Sequence, residues 1–167
     1  MTKLEAVLGD ITRETTDAIV NAANTSLAPG GGVCGAIHHA AGPDLARACH
    51  ALGGCPTGSA KITPGYNLVA RYVIHAVGPV WQGGTANEAE LLGSCYRAVL
   101  AIAGDYHLRS LAFPCISTGI YGYPIAEAAE IAVRAVTAEL AHLPVIEAVR
   151  FVCFSEADLA VYRRLVQ

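Results

Sequence analysis

Three consecutive glycines lead straight into a helical pattern near the start of the chain. The segment runs from Asn24 to His38 and contains Gly30, Gly31 and Gly32. Consecutive glycines are costly to order, so such a loop usually lets the backbone approach another group closely. Because a helix N-terminus leaves N–H groups unsatisfied and carries partial positive charge, a glycine loop before it is suited to holding a phosphate. A flexible turn is the alternative interpretation.

A second glycine-rich turn follows an apolar, strand-like run over residues 111–116. It extends from Ser117 to Pro124, where another helical pattern begins. In an open α/β sheet, ligands bind in the crevice beyond the carboxyl ends of the strands. The pair of turns therefore suggests the two sides of one diphosphate cleft.

Two common phosphate-binding signatures do not fit these residues. The spacing of Gly30, Gly32 and Gly35 formally matches a dinucleotide fingerprint. However, no strand pattern ends directly before it, and no acidic residue closes a second strand about 20 residues later. A Walker loop requires Gly-Lys-Ser/Thr, whereas Ala36 follows Gly35. These mismatches exclude a Rossmann dehydrogenase and a P-loop NTPase.

Cysteine and metal chemistry is also disfavoured. A thiol phosphatase carries an arginine six residues after its cysteine, a position that holds Ala40 after Cys34 and Tyr121 after Cys115. The His and Cys residues that suggest zinc match no compact ligand spacing. Those residues are His38, His39, Cys49, His50 and Cys55. We expect no metal and no cofactor.

The alternation of strand and helix patterns along the chain predicts an α/β sheet covered by helices on both faces. Short β-branched runs predict strands at 4–8, 18–20, 72–77, 111–116 and 149–154. An antiparallel pairing stays open for strand 4–8. Thr85 and Glu88 form a capping box before one helix, Pro124 opens a second, and Ser155 caps the last.

Composition indicates one globular domain over residues 1–167. The chain is 53% apolar and 15% charged, and its net charge is −3 with a pI near 6.0. Without a Lys and Arg cluster it lacks the electrostatic footprint of a nucleic-acid binder. It shows no signal-peptide pattern and no apolar run of about 20 residues, so we expect a cytoplasmic protein that does not enter a membrane. We also expect a monomer.

Five motifs in succession resemble those of MacroD-like macro domains. They are Gly9-Asp10-Ile11-Thr12, Val20-Asn21-Ala22-Ala23-Asn24, Gly35-Ala36-Ile37-His38, Val73-Ile74-His75-Ala76-Val77-Gly78-Pro79 and Ile116-Ser117-Thr118-Gly119-Ile120-Tyr121-Gly122-Tyr123-Pro124. They keep the family order across nearly the whole chain. The resemblance implies a three-layer α/β/α fold around a mixed sheet, with a cleft for ADP-ribose. It also implies hydrolysis of mono-ADP-ribosyl esters on acidic side chains of proteins, and of O-acetyl-ADP-ribose.

The resemblance assigns roles to individual residues. Asp10 would accept a hydrogen bond from the adenine amino group beside Ile11, and Asn24 would sit by the distal ribose, which the Tyr121 ring would cover. Backbone groups would cradle the diphosphate. That set comprises Gly31, Gly32, Val33, Cys34, Ser117, Thr118, Gly119, Ile120 and Tyr121. Asn21 is interpreted as structural, His38 as a supporting residue and His75 as core.

One position departs from the family pattern. Cys34 stands where hydrolytic members commonly carry an Asp that orients or deprotonates the attacking water. Asn24 and Cys34 are therefore the candidate catalytic residues, with the substrate's own phosphate assisting deprotonation. The alternative is a reader that binds ADP-ribose or ADP-ribosylated protein without turning it over. Expected partners are ADP-ribose, O-acetyl-ADP-ribose and mono-ADP-ribosylated proteins, with nucleic acid only if it is itself ADP-ribosylated.

Overall fold

The computed structural model describes residues 2–167, which build a six-stranded mixed sheet and five α-helices. The strands are β1 (Lys3–Leu8), β2 (Ala18–Ala23), β3 (Ala60–Pro64), β4 (Tyr72–Val77), β5 (Ser110–Phe113) and β6 (Ala148–Cys153). The helices are α1 (Gly32–Ala41), α2 (Pro43–Leu52), α3 (Glu88–Asp105), α4 (Ile125–Leu140) and α5 (Glu156–Val166), with a 3₁₀ turn at Ile11–Arg13. Within the described residues, no helix combines the length and apolarity that a membrane crossing requires.

The strands are arranged in the order β1-β6-β5-β2-β4-β3. The antiparallel pairing left open for strand 4–8 is wrong, because β1 lies parallel to β6 with Leu4 opposite Val149. The antiparallel strand is instead β3, which pairs with β4 at the sheet edge. Hydrophobic patterning missed β3 because only Thr63 in it is buried. Pro64 is tolerated at its end since an edge strand leaves N–H groups unpaired.

Two separate apolar clusters cover the two faces of the sheet. Helices α1 and α2 pack over one face, where Ile19 and Val73 are fully buried. Helices α3, α4 and α5 pack over the other face, against Val20 and Phe113. Alternate residues of each strand thus enter opposite cores, as the period of two in a strand requires. The predicted three-layer α/β/α architecture is confirmed.

The predicted capping box before α3 is wrong. Asn87, not Thr85, is the N-cap residue of α3, with a left-handed φ of 62° and no side-chain cap hydrogen bond. Glu88 is the first residue of the helix, and its carboxylate accepts hydrogen bonds from the backbone N–H groups of Gln82 and Gly84. Glu88 therefore closes the preceding loop and does not form a capping box with Thr85.

The other two predicted helix starts are confirmed. The Ser155 hydroxyl accepts a hydrogen bond from the N–H of Asp158 at 3.2 Å, as an N-cap does. Helix α4 begins immediately after Pro124. The strand predicted over 111–116 is shorter than expected, because β5 ends at Phe113 before Pro114.

Candidate binding cleft

The predicted diphosphate cleft lies where the carboxyl ends of β2, β4 and β5 meet. After β2 the chain crosses to α1 on one face of the sheet, and after β5 it crosses to α4 on the other. Such a reversal opens a crevice at the strand ends. The crevice holds a first cavity of about 240 Å³. Its lining includes Ala22, Ala23, Asn24, Gly30, Gly31, Gly32, Val33, Cys34, Gly78, Cys115, Ile116, Ser117, Gly119, Ile120 and Tyr121.

One wall is the first loop, residues 24–31, with the start of α1. Gly31 is the N-cap residue of α1, and no side chain of the described residues caps the helix. The N–H groups of the first turn are therefore free to bind an anion. A Cβ on Gly35 would lie 2.5 Å from the Gly30 carbonyl oxygen, so the loop can fold back onto the helix only because Gly35 lacks a side chain.

The opposite wall is the second loop, residues 117–124. Ser117 has a φ of 67°, a strained left-handed conformation for a residue with a side chain. The N–H of Tyr123 donates to the Ser117 carbonyl at 2.9 Å, which closes the loop. A Cβ on Gly31 would lie 3.6 Å from Ile120 Cδ1, so the two loops face each other across a narrow gap.

A second cavity of about 160 Å³ continues the cleft toward the carboxyl ends of β1 and β6. Its lining comprises Gly9, Ile11, Val33, Pro114, Cys115, Thr118, Gly119, Val152, Phe154 and Asp158. Val33, Cys115 and Gly119 line both cavities. The structure therefore places the predicted binding residues around two chambers with a common wall, and Ile11 and Thr118 belong to the second chamber.

Asp10 lies beside the second cavity, between the lining residues Gly9 and Ile11. One carboxylate oxygen accepts hydrogen bonds from both the hydroxyl and the N–H of Thr12, at 2.7 and 3.0 Å. These bonds, the hydroxyl first, lower the pKa of Asp10. The other oxygen lies 3.8 Å from Arg13 Nε. Asp10 is thus an ionised acceptor at neutral pH.

The predicted site residues omit six that line the second cavity, which are Gly9, Pro114, Cys115, Val152, Phe154 and Asp158. Phe154 directly follows β6, and the residue is 88% exposed, which is unusual for a large aromatic residue. Asp158, in the first turn of α5, lines the same chamber. The sequence signal was available, since an aromatic residue ends the predicted strand just before the Ser155 cap. Interpreting it as a strand residue hid its exposed position.

Asn24 lies in the first cavity, but most of its hydrogen-bonding capacity is used inside the first loop. Its amide oxygen accepts from the Ser26 hydroxyl at 2.7 Å and from the Ala28 N–H at 3.1 Å. Its amide nitrogen donates to the Ala28 carbonyl at 2.9 Å. One amide hydrogen remains without a partner among these contacts, because an amide carries two. Asn24 therefore shapes the loop and retains one donor.

Cys34 lines the first cavity with a mostly buried thiol. Its Sγ lies 3.7 Å from Asn21 Nδ2 and 3.7 Å from the Ala28 carbonyl oxygen. No Asp, Glu or His is among the described residues that line this cavity. The departure at Cys34 is therefore not compensated by a carboxylate supplied from elsewhere on the cavity wall.

A buried polar network lies beneath Cys34. Asn21 Nδ2 is 3.1 Å from His75 Nδ1, and His75 Nε2 is 2.9 Å from the Thr63 hydroxyl. Burial, with a smaller contribution from the nearby His38, lowers the pKa of His75 to about 4, and burial also lowers the pKa of His38. Both histidines are therefore mainly neutral at pH 7. Asn21 and His75 are buried, in agreement with the structural and core roles predicted for them.

The half-buried Tyr121 lines the first cavity and is absent from the lining of the second. Its carbonyl oxygen accepts a hydrogen bond from the N–H of Trp81 at 2.8 Å. The loop that follows β4 thereby supports the second loop from outside. Among residues 2–167, no group of three or more His, Cys, Asp or Glu side chains is placed to hold a metal ion.

Comparison with known proteins points to one family. The Macro domain family model matches residues 20–132. A macro domain-containing protein of Chlorobaculum tepidum is 61% identical over 96% of this chain and 94% of its own length. An O-acetyl-ADP-ribose deacetylase of Salmonella gallinarum is 54% identical, covering 98% of this chain and 94% of its own. A mutant macrodomain of Oceanobacillus iheyensis with ADP-ribose superposes with a TM-score of 0.92 at 47% identity, covering 96% and 90% of the two chains.

Proposed function

The chain belongs to the macro domain family, and we propose that it binds ADP-ribose and hydrolyses ADP-ribosyl esters. The substrates are mono-ADP-ribose on acidic side chains of proteins and O-acetyl-ADP-ribose. One observation carries the proposal: the uncapped start of α1 faces the second loop across a cleft of two adjacent chambers that share lining residues. A ligand with a diphosphate between two bulky ends fits this shape.

The two chambers divide the ligand into halves. Adenine occupies the second cavity, where the exposed Phe154 ring offers a stacking surface and the Asp10 carboxylate accepts from the amino group. The diphosphate lies against the first turn of α1 and the backbone of residues 117–121. The distal ribose then occupies the first cavity between Asn24 and Tyr121.

The chemical step uses water without a protein carboxylate. Water attacks either the anomeric carbon, where the C–O bond to the departing carboxylate breaks, or the ester carbonyl, where the acyl C–O bond breaks and the ribose oxygen departs. In both routes the water proton passes to a phosphate oxygen of the substrate. In the second route a proton is then delivered to the departing ribose oxygen, which leaves as a hydroxyl. The first cavity supports this route because no Asp, Glu or His lines it among the described residues. Backbone donors and the remaining Asn24 amide hydrogen contribute by holding the reacting groups in position.

Turnover measurements test the proposal directly. Purified protein is incubated with a protein carrying mono-ADP-ribose on glutamate and, separately, with O-acetyl-ADP-ribose, and release of ADP-ribose is followed. We expect catalytic turnover of both. Failure of the chain to bind ADP-ribose, in calorimetry and in thermal shift, would refute the binding function as well.

A reader of ADP-ribose is the second candidate. The lining of the first cavity favours it, since a cavity whose described lining has no carboxylate suits binding without turnover. The turnover experiment distinguishes the two functions. A reader binds ADP-ribose in calorimetry but releases no ADP-ribose from either substrate.

A further inference from the structure

A buried carboxylate holds together the loop that supports the distal-ribose end of the cleft. This buttress loop comprises residues 81–86, and the side chain of Glu88 lies behind it with only 1% of the residue exposed. Glu88 Oε2 accepts hydrogen bonds from the N–H groups of Gln82 and Gly84, at 2.8 and 2.9 Å. Its Oε1 accepts from the N–H of Ala86 at 2.6 Å. Three backbone donors therefore converge on one side chain.

The buttress loop is attached to the second loop at two points. The Trp81 N–H donates to the Tyr121 carbonyl at 2.8 Å. The Trp81 ring packs on the Tyr123 ring, with centroids 4.6 Å apart and planes tilted by 49°. Tyr123 in turn donates its N–H to the Ser117 carbonyl. A displacement of the buttress loop would therefore reach the residues that line the first cavity.

Glu88 carries its negative charge under all ordinary conditions. Burial would raise the pKa of its carboxyl group, but the backbone N–H donors of Gln82, Gly84, Ala86 and Glu88 itself outweigh that effect and lower the pKa to about 2. The position at the start of α3 adds to this, because the positive end of the helix dipole favours a carboxylate.

We propose that Glu88 is a positioning residue for the distal-ribose half of the cleft, acting through the buttress loop and Tyr121 without touching the ligand. This inference rests on the proposed function. Glu88 and the buttress loop contribute nothing to the lining of the second cavity or to the start of α1. Loss of the carboxylate is therefore expected to impair recognition of the distal ribose and to spare recognition of adenine and diphosphate.

A comparison of ADP with ADP-ribose isolates that half of the cleft, because ADP lacks the distal ribose. In Glu88→Gln the side chain keeps its size, but an NH₂ group replaces one acceptor oxygen and faces backbone donors. We expect its affinity for ADP-ribose to fall roughly three- to tenfold, the equivalent of about one hydrogen bond. Its affinity for ADP should stay within about twofold of the wild type. Both affinities are measured by calorimetry.

Glu90→Gln is the matched control, since Glu90 lies in the same turn of α3 but is exposed and, among residues 2–167, pairs with Arg97 alone. We expect it to change neither affinity. The emission of Trp81, the single tryptophan of the chain, reports the buttress loop independently. It should shift in Glu88→Gln and not in Glu90→Gln.

Should Glu88→Gln fail to fold, Ala86→Pro removes one donor to the carboxylate and leaves the carboxylate in place. The same selective loss is expected from it. A folded variant of either kind that binds both ADP-ribose and ADP as tightly as the wild type would overturn the positioning role. An equal loss for both ligands would overturn it too, because that is the result of a general structural defect. A wild-type chain that binds neither ligand would refute the proposed function itself.

Discussion

The hydroxyl oxygen of Ser117 lies directly over the α-carbon of Gly78. A Cβ built on Gly78 would come within 2.2 Å of Ser117 Oγ and within 2.7 Å of Ile116 Cγ2. Since Ser117 is buried and already holds a left-handed backbone conformation, it has little room to move aside. The end of β4 therefore sets the position of the second loop.

Gly78→Ala is expected to displace the second loop and so to weaken ADP-ribose binding. It should also lower the free energy of unfolding by about 1–3 kcal/mol, the usual cost of forcing atoms into a packed site. Calorimetry on protein that is folded by circular dichroism measures the effect. Gly93→Ala is the control, because a Cβ there would meet mainly the flexible end of Arg97, at 3.0 Å, away from the cleft. Normal binding by folded Gly78→Ala would show that the second loop is not held by this contact.

Gly32→Glu is expected to abolish both ADP-ribose binding and turnover. A Cβ on Gly32 meets nothing within 4 Å, and Gly32 lines the first cavity, so the substitution would add a negative charge at the proposed position of the diphosphate. The φ of 56° adds backbone strain of about 1–2 kcal/mol for any side chain. Gly32→Ala carries that strain without the charge and serves as the control. If the folded Glu variant bound ADP-ribose normally, the first loop would face another ligand.

Asp10→Ala is expected to weaken ADP-ribose binding by about 1.5–3 kcal/mol, the value of a hydrogen bond to a charged group. The substitution also removes the bonds to Thr12 that cap the 3₁₀ turn. Asp10→Asn separates the two effects, because Asn still caps the turn while it lacks the charge. Equal affinities for the wild type and both variants would remove Asp10 from the adenine site.

Cys34→Ala is expected to keep turnover within roughly tenfold of the wild type, well short of the 10²–10⁴-fold effect of general acid–base assistance. Cys34→Asp should equal or exceed the wild type, since Asn21 Nδ2, 3.7 Å from the present sulfur, can donate to the new carboxylate. Rates on both ester substrates decide. A thousandfold loss in Cys34→Ala with intact binding and inactivation of the wild type by a thiol reagent would make Cys34 catalytic.

The stability of the fold is expected to decline as the pH falls from about 6.5 toward 4. The pKa of buried His75 is lowered from 6.5 to about 4, so the folded state holds it neutral while the unfolded chain binds a proton. The free energy of unfolding is therefore not reduced by His75 above pH 6.5. Below that pH protonation of His75 in the unfolded chain reduces it, by up to roughly 3 kcal/mol. Urea unfolding at pH 7 and pH 4.5 measures the decrease. The loss of unfolding free energy between the two pH values should be smaller in His75→Gln. It should be unchanged in His39→Gln, because His39 is exposed on α1.

The sequence was sufficient for features that depend on local pattern. Four of the five predicted strands are present because apolar runs are buried on both sheet faces. The fifth, β1, lies at the sheet edge with only Ala6 buried, but its apolar residues still marked it as a strand. Both glycine loops lie at one cleft because parallel strands end at the same sheet edge. Strand β3 was not predicted, because an edge strand needs little apolar surface. Its pairing with β4 is what defines it as a strand.

Features that depend on the three-dimensional course of a loop, or on how elements pack together, were not predictable. The capping box was wrong because the carboxylate of Glu88 bonds to Gln82 and Gly84, which requires the three-dimensional course of the loop. The use of the Asn24 amide within the first loop likewise follows from how residues 24–28 fold. That Phe154 and Asp158 line one cavity could be known only once α5 had been placed beside β6.

The wall shared by the two cavities has a consequence for small-molecule inhibitors. Val33, Cys115 and Gly119 border both chambers, so compounds seated separately in each contact the same three residues. Joining such compounds by a short linker makes the second binding event intramolecular, with an effective concentration in the millimolar range for short flexible linkers. An uncharged linker of this kind would forgo the diphosphate contacts, and tight binding would then come from two weak fragments that hold each other in place.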